Sequence, residues 1–190
     1  NLLAQFGMAK NADIPNVSWA IDRAANDEQR QVLRLLMAGQ FESARARALH
    51  LLQKDSKDVE ALLLFGNALV GLKDLDGAIT QIEQAIESDP QRVLTYANLG
   101  ILQLAKGDRE HAEDTFLNAV AIAPTSVQAH LALANYYWAT GRLGEAEQEL
   151  LRSRDLEPGS PMVNQAIATL YLNSNRAGEA EPYLKALVGN

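Results

Sequence analysis

The sequence predicts an all-α chain of antiparallel helix pairs stacked one on the next as a solenoid, and three observations carry that prediction. The first is recurrence, since a set of residue classes returns about every 34 positions. In the stretch 93–126 the set is Tyr96, Leu99, Gly100, Gly107, Ala112, Phe116, Ala119 and Pro124. Downstream it becomes His130, Leu133, Ala134, Gly141, Ala146, Leu150, Ser153 and Pro158; upstream it is Leu62, Phe65, Gly66, Ala78, Ile82, Ala85 and Pro90. The second is punctuation: Pro90, Pro124 and Pro158 stop a helix at the end of each period. The third is composition, 47% hydrophobic but only 6% aromatic, which suits thin Ala- and Leu-based helix packing rather than one deep core.

Taken in order, residues 1–24 read as a lead-in. It starts with apolar Leu2, Leu3 and Phe6, turns at Ile14-Pro15-Asn16, and offers Ser18 as cap for one helix through Trp19, Ile21 and Ala25. Residues 25–190 divide into five repeats. The first, 25–58, departs from the pattern: Glu28 and Gln31 replace the apolar pair Leu62 and Phe65, so it is expected to be a terminal cap with one wetter face. Val32, Leu35, Leu36, Gly39, Ala44, Ala48 and Leu51 keep the rest of its core. Repeats 59–92, 93–126 and 127–160 are regular. In each, the first helix carries the bulky positions and a small residue such as Gly100 where the second crosses it. Gly107 ends the first helix of its repeat, and Ala112, Phe116 and Ala119 line one face of the second. The fifth, 161–190, keeps Ile167, Ala168, Tyr171, Ala180 and Leu184 and stops before its Pro position. Its Pro182 is expected in the first turns of the second helix, where a missing N–H costs least. With no polar helix after Leu184 and Leu187, that end is expected to be covered by further repeats or another chain.

The period and its residues resemble the tetratricopeptide repeat, from about Ala25 onward. The resemblance implies a right-handed superhelix whose first helices line a concave groove. Ligands there are usually peptide segments, held at fixed positions of each unit. Carried over, those positions are Leu63, Asn67 and Val70; Leu94, Ala97, Asn98, Ile101 and Leu104; Gln128, Leu131, Asn135 and Trp138; and Met162, Gln165, Thr169 and Leu172. The row is mostly apolar with amides interspersed. One subclass of the family clamps a C-terminal carboxylate with Lys, Asn and Arg side chains. Asn67 and Asn98 match its amides, but Leu63, Gln128 and Ala132 stand where cations are required, so that clamp is not expected. The repeat also favours Asn at Asn67, Asn98 and Asn135 for packing. Trp138 is the residue type most enriched at binding hot spots; the other reading is that its ring fills the stack.

No chemistry of catalysis is legible. The three histidines, His50, His111 and His130, are far apart and none sits at ligand spacing. His130 takes a bulky packing position. No phosphate loop or nucleophile elbow occurs, and Glu145, Glu147 and Glu149 are expected on a solvated helix face that shifts no pKa. No cofactor and no metal are expected. With no cysteine, disulfides and thiolate sites are excluded. The net charge of -7 argues against a phosphate-neutralising nucleic-acid surface, and no run approaches the ~20 apolar residues of a membrane span. A soluble chain is expected, compatible with either a bacterial cytoplasm or periplasm.

Two function classes follow. The first is a non-catalytic scaffold that takes an apolar or amphipathic segment of another protein in the groove. The alternative is an assembly module acting through its ends or by self-association at the C-terminal end, in the style of bacterial secretion, pilus or polysaccharide machines. A third arrangement places Leu2, Leu3 and Phe6 of the lead-in within the groove.

Overall fold

The computed structural model describes residues 26–188. Among the described residues ten helices follow in consecutive pairs, with no strand. They are α1 (Asp27–Met37), α2 (Phe41–Lys54), α3 (Val59–Gly71), α4 (Leu75–Ser88), α5 (Val93–Lys106), α6 (Arg109–Ile122), α7 (Val127–Ala139), α8 (Leu143–Leu156), α9 (Pro161–Asn173) and α10 (Ala177–Val188). The expected lead-in helix from Ser18 lies outside the described residues. The chain forms two compact units, one ending at Thr115 and one starting at Phe116, with the division falling inside α6.

Each pair is reversed by the same backbone device. Gly39, Lys73, Gly107, Gly141 and Asn175 all have positive φ, between 59° and 89°. The residue after each donates its N–H back over the turn: Gln40 to the Leu35 carbonyl, Asp74 to Leu69, Asp108 to Gln103, Arg142 to Tyr137 and Arg176 to Tyr171, at 2.8–2.9 Å. This Schellman-type bond occupies a carbonyl that the helix end leaves open. Only three of the five positions are glycine. Lys73 and Asn175 adopt the left-handed conformation at the steric cost that a Cβ brings there.

The second helix then returns close to the first, because small residues stand where the two cross. Ala44, Ala78, Ala112, Ala146 and Ala180, one per pair, are each fully buried at 0% exposure. At Gly66 on α3 an added Cβ would lie 3.1 Å from Ile82 Cδ1 and 3.5 Å from the Ala78 carbonyl oxygen on α4. A single carbon added at Gly66 would already be in contact with the backbone of α4.

In the first unit, Val32, Leu36, Ala44, Ala48, Ala61, Leu64 and Ala68 form one apolar cluster. Leu62, Leu63, Val70, Ala78, Ile82, Leu99 and Leu102 form the next. Helix α3 is therefore apolar almost all round, and nine of its residues are buried. Glu28 and Gln31 of α1 are exposed and reach α2 instead: Glu28 pairs with Lys54 at 2.7 Å, and Gln31 accepts from Arg47 at 2.5 Å. In the second unit, Phe116, Leu133, Tyr136, Leu150, Val163, Ile167 and Leu170 are buried, with the Phe116 and Tyr136 rings 5.5 Å apart.

One expectation changes. Pro182 is the sixth residue of α10, beyond the first turn, so the helix lacks the N–H that would bond to Gly178.

The turn device makes a paired prediction. Lys73→Gly relieves the left-handed strain, and after the flexibility that glycine adds to the unfolded chain it should stabilise by about 0.5–1 kcal/mol. Gly107→Ala should destabilise by about 1 kcal/mol. Urea unfolding of both variants checks the opposite signs.

Candidate functional site

The residues expected to line a groove lie on the first helices of four pairs, and their exposure differs from helix to helix. On α3, Leu63, Asn67 and Val70 are buried, at 1%, 5% and 7% exposure, and Leu63 and Val70 belong to the cluster that includes Leu99 and Leu102 of α5. On α5, Leu94 is exposed, Ala97, Asn98 and Ile101 are half-buried, and Leu104 is buried. On α7, Gln128 is exposed, Asn135 and Trp138 are half-buried, and Leu131 is buried. On α9 all four positions, Met162, Gln165, Thr169 and Leu172, are exposed. The lead-in residues Leu2, Leu3 and Phe6 lie outside the described residues.

Two polar atoms of the first unit are buried without a hydrogen-bond partner: Nδ2 of Asn67 on α3 and Oγ1 of Thr95 on α5. An orphaned buried polar atom costs about 1–3 kcal/mol. Neither is compensated by a contact among the described residues.

Around Trp138, the three consecutive aromatics of α7 separate by face. Tyr136 is buried at 2% exposure, Tyr137 at 7%, and Trp138 is half-buried. The Arg142 guanidinium lies 4.4 Å from the Tyr137 ring centroid and donates to Glu145 at 2.9 Å. The next repeat copies this: Arg176 lies 4.5 Å over Tyr171 and donates to Glu179 at 2.7 Å. Earlier repeats use an aspartate at the same place. Asp74 accepts from the Gly77 N–H at 2.9 Å, and Asp108 accepts from the His111 N–H at 3.3 Å.

The three glutamates of α8 do not share one solvated face. Residues two apart on a helix point to different sides, so Glu147 turns toward the following repeat. There it takes both Arg176 guanidinium nitrogens at 2.6 and 3.0 Å and the Tyr171 hydroxyl at 2.8 Å. Arg176 holds its carboxyl below the usual carboxylate range. Burial, with the bond to Glu147, pushes the Tyr171 hydroxyl up to about 12. Glu149 is buried at 7% exposure, with Oε2 2.7 Å from Nδ1 of His130 and Oε1 accepting from Arg152 at 3.0 Å. His130 is thus a bonded residue as well as a packed one. Its pairing is signalled in the sequence only by an acid on the facing helix.

Among the described residues no group of His, Asp and Glu is arranged to hold a metal ion, and no helix is long and apolar enough to cross a membrane.

The tetratricopeptide repeat pattern matches residues 35–100 and 103–170, more than half of the chain. The chain belongs to the tetratricopeptide repeat family. Its fold class is the all-α helix-pair solenoid of that family. It is similar to the crystal structure of MamA at 22% identity, over 82% of this chain and 91% of that one, with a TM-score of 0.62. It is also similar to MamA (41-end) from Desulfovibrio magneticus RS-1, at 20% identity over 87% and 96%, with a TM-score of 0.63. The thermophilic protein TTC0263 of Thermus thermophilus matches at 22% identity over 86% and 89%, with a TM-score of 0.66. No curated protein sequence matches. At these identities the structural likeness concerns the fold. Tetratricopeptide repeats serve in general as protein-interaction scaffolds.

The Glu147 cluster ties consecutive tetratricopeptide repeats together, and its pH dependence has a definite sign. An unfolded glutamate titrates near about 4.3, and in the fold the carboxyl lies lower. Its contribution is therefore present above that value and lost as pH falls through the folded one. Glu147→Gln should cost about 1–2 kcal/mol near neutrality. Unfolding followed from neutral to acid pH should show the difference from the parent chain shrinking toward zero.

Proposed function

We propose that the chain is a non-catalytic scaffold that takes an apolar or amphipathic segment of another protein on the faces of its first helices, with α7 and α9 of the second unit as the recognition surface. The exposed row on α9 carries this reading. Met162 is 61% exposed and Leu172 48%, with Gln165 and Thr169 between them and no charge in the row. On α7, Gln128, Leu131, Asn135 and Trp138 are likewise uncharged. Two large apolar side chains left in water on a helix of an acidic protein recover free energy when a partner covers them. A neighbouring half-buried tryptophan is the natural hot spot, since its ring contributes large area at little entropic cost. The amides and Thr169 supply hydrogen bonds that fix the register of the bound segment.

The first unit has a lesser part in this reading. Leu63, Asn67 and Val70 are packed in, which leaves Leu94, Ala97, Asn98 and Ile101 of α5 as the surface that it can offer.

A specific observation also favours the assembly reading. Leu184 and Val188 of α10 are 39% and 88% exposed and line a shallow hollow with Glu181 and Lys185. A partner or a second copy seated there would act through the end rather than the row.

The test begins by recovering a partner with the whole chain, then titrates that partner against variants. Trp138→Ala and Leu172→Glu should each weaken binding by about 2 kcal/mol or more while leaving the unfolding midpoint near that of the parent. Leu184→Glu should leave affinity unchanged. The reverse pattern would favour the assembly reading, and a collapse in stability of Trp138→Ala would make that ring core.

A further inference from the structure

Both nitrogens of the His130 ring face hydrogen-bond acceptors. The side chain is buried at 4% exposure; Nε2 lies 2.9 Å from the Pro124 carbonyl oxygen, and Nδ1 lies 2.7 Å from Oε2 of Glu149. A neutral imidazole has one N–H and one bare nitrogen, so it can serve only one of the two. The preceding repeat indicates which bond belongs to the architecture. Tyr96 occupies the equivalent position, and its hydroxyl donates to the Pro90 carbonyl at 3.1 Å across the same separation of six residues. With Nε2–H given to Pro124, a neutral ring would direct its bare Nδ1 at a carboxylate oxygen, lone pair against lone pair. A proton must lie between them.

Glu149 indicates where that proton resides. Its other oxygen accepts from the Arg152 guanidinium at 3.0 Å, which favours the anionic carboxylate and leaves the proton on the ring. We propose that His130 is a buried imidazolium clasp, donating from both nitrogens to join the loop before α7 to α8, and that the clasp is a pH-sensitive device that opens when its proton is withdrawn. The surroundings in the second unit offer little competition. Residues 116–128 contain no titratable side chain, α7 adds only Tyr136 and Tyr137, and α9 adds only Tyr171, whose hydroxyl is given to Glu147. Among the acids and bases of α8, Glu149 bonds the ring and Arg152 stands behind it, while Glu145 and Glu147 are held by Arg142 and Arg176. Arg154 pairs with Asp155 at the far end of α8.

The sign follows from counting protons. An unfolded histidine loses its proton near about pH 6.5. If both nitrogens donate in the fold, the ring cannot release that proton while the clasp is closed, so the clasp predicts a folding constant that falls as pH rises above this value. The exposed His111, whose pKa is raised by the hydrogen bond to Asp108, adds its own dependence. A comparison that changes only His130 removes it.

Two measurements on the whole chain test the proposal. The first is ring-nitrogen NMR of histidine-labelled protein about one pH unit above the ordinary imidazole midpoint, with His130→Gln identifying the signal. Two protonated nitrogens at His130 are expected; one bare nitrogen overturns the proposal. The second is urea unfolding against pH for the parent and His130→Tyr, which keeps a donor to Pro124 in the manner of Tyr96 and has no proton to release in this range. The ratio of their folding constants should change about tenfold per pH unit above the histidine midpoint, and a ratio independent of pH overturns it. If His130→Tyr does not fold, the ring measurement decides alone.

Discussion

The close crossing of the two helices within each pair is the constraint on which the rest of the structure depends. It requires a residue with almost no side chain at one point of the second helix, and five alanines at 0% exposure meet that requirement once per pair. Gly66 meets it from the other side, where a single added carbon would already press on Ile82. With so little side chain between the backbones, the second helix can return along the first only if the turn reverses it within a few residues. The left-handed residue and the N–H that reaches back five positions accomplish that. Large side chains such as Phe116, Leu133 and Leu150 then fill the space beside the crossing.

This layout was largely legible in the sequence, because packing of this kind is periodic and periodicity survives translation into residue classes. The pair-by-pair helices follow from the spacing of Ala, Gly and the bulky positions. What escaped has a common physical reason. Lys73 adopts a left-handed conformation that its residue type does not advertise, since the hydrogen bond over the turn, and not the local preference, decides it; Asn175 has the residue type that accepts this conformation most readily after glycine. Glu147 and Glu149 look like solvated acids until the next repeat supplies Arg176 and Tyr171 and the facing helix supplies His130. Both depend on partners about 20–30 positions away, beyond any helical period. The burial of Leu63, Asn67 and Val70 is of the same kind: α3 is apolar on nearly every side, and a rule taken from one helix face does not register that.

These polar contacts divide the labour among the repeats. The apolar positions recur in every repeat, whereas the polar ones differ between repeats. Aspartate turns serve the second and third repeats, and arginine–tyrosine turns serve the fourth and fifth. In a tetratricopeptide array, stability is close to a sum over repeats and their neighbours. Particular contacts of this sort therefore adjust one repeat without disturbing the rest. The uncharged row on α9 and the His130–Glu149 contact lie in the same unit, so the proposed partner surface and the proposed clasp would be built on the same few helices.

The crossing itself is open to a direct measurement. Urea unfolding of Ala78→Leu, set beside Ala46→Leu on the exposed face of α2, asks whether the small residue is required where the helices meet. The overpacked crossing should cost about 1–3 kcal/mol or more, while the surface change should stay within about 0.5 kcal/mol of the parent. Equal and negligible effects at the two positions would contradict the account, because the pairs would then be held by something other than the close approach of their backbones.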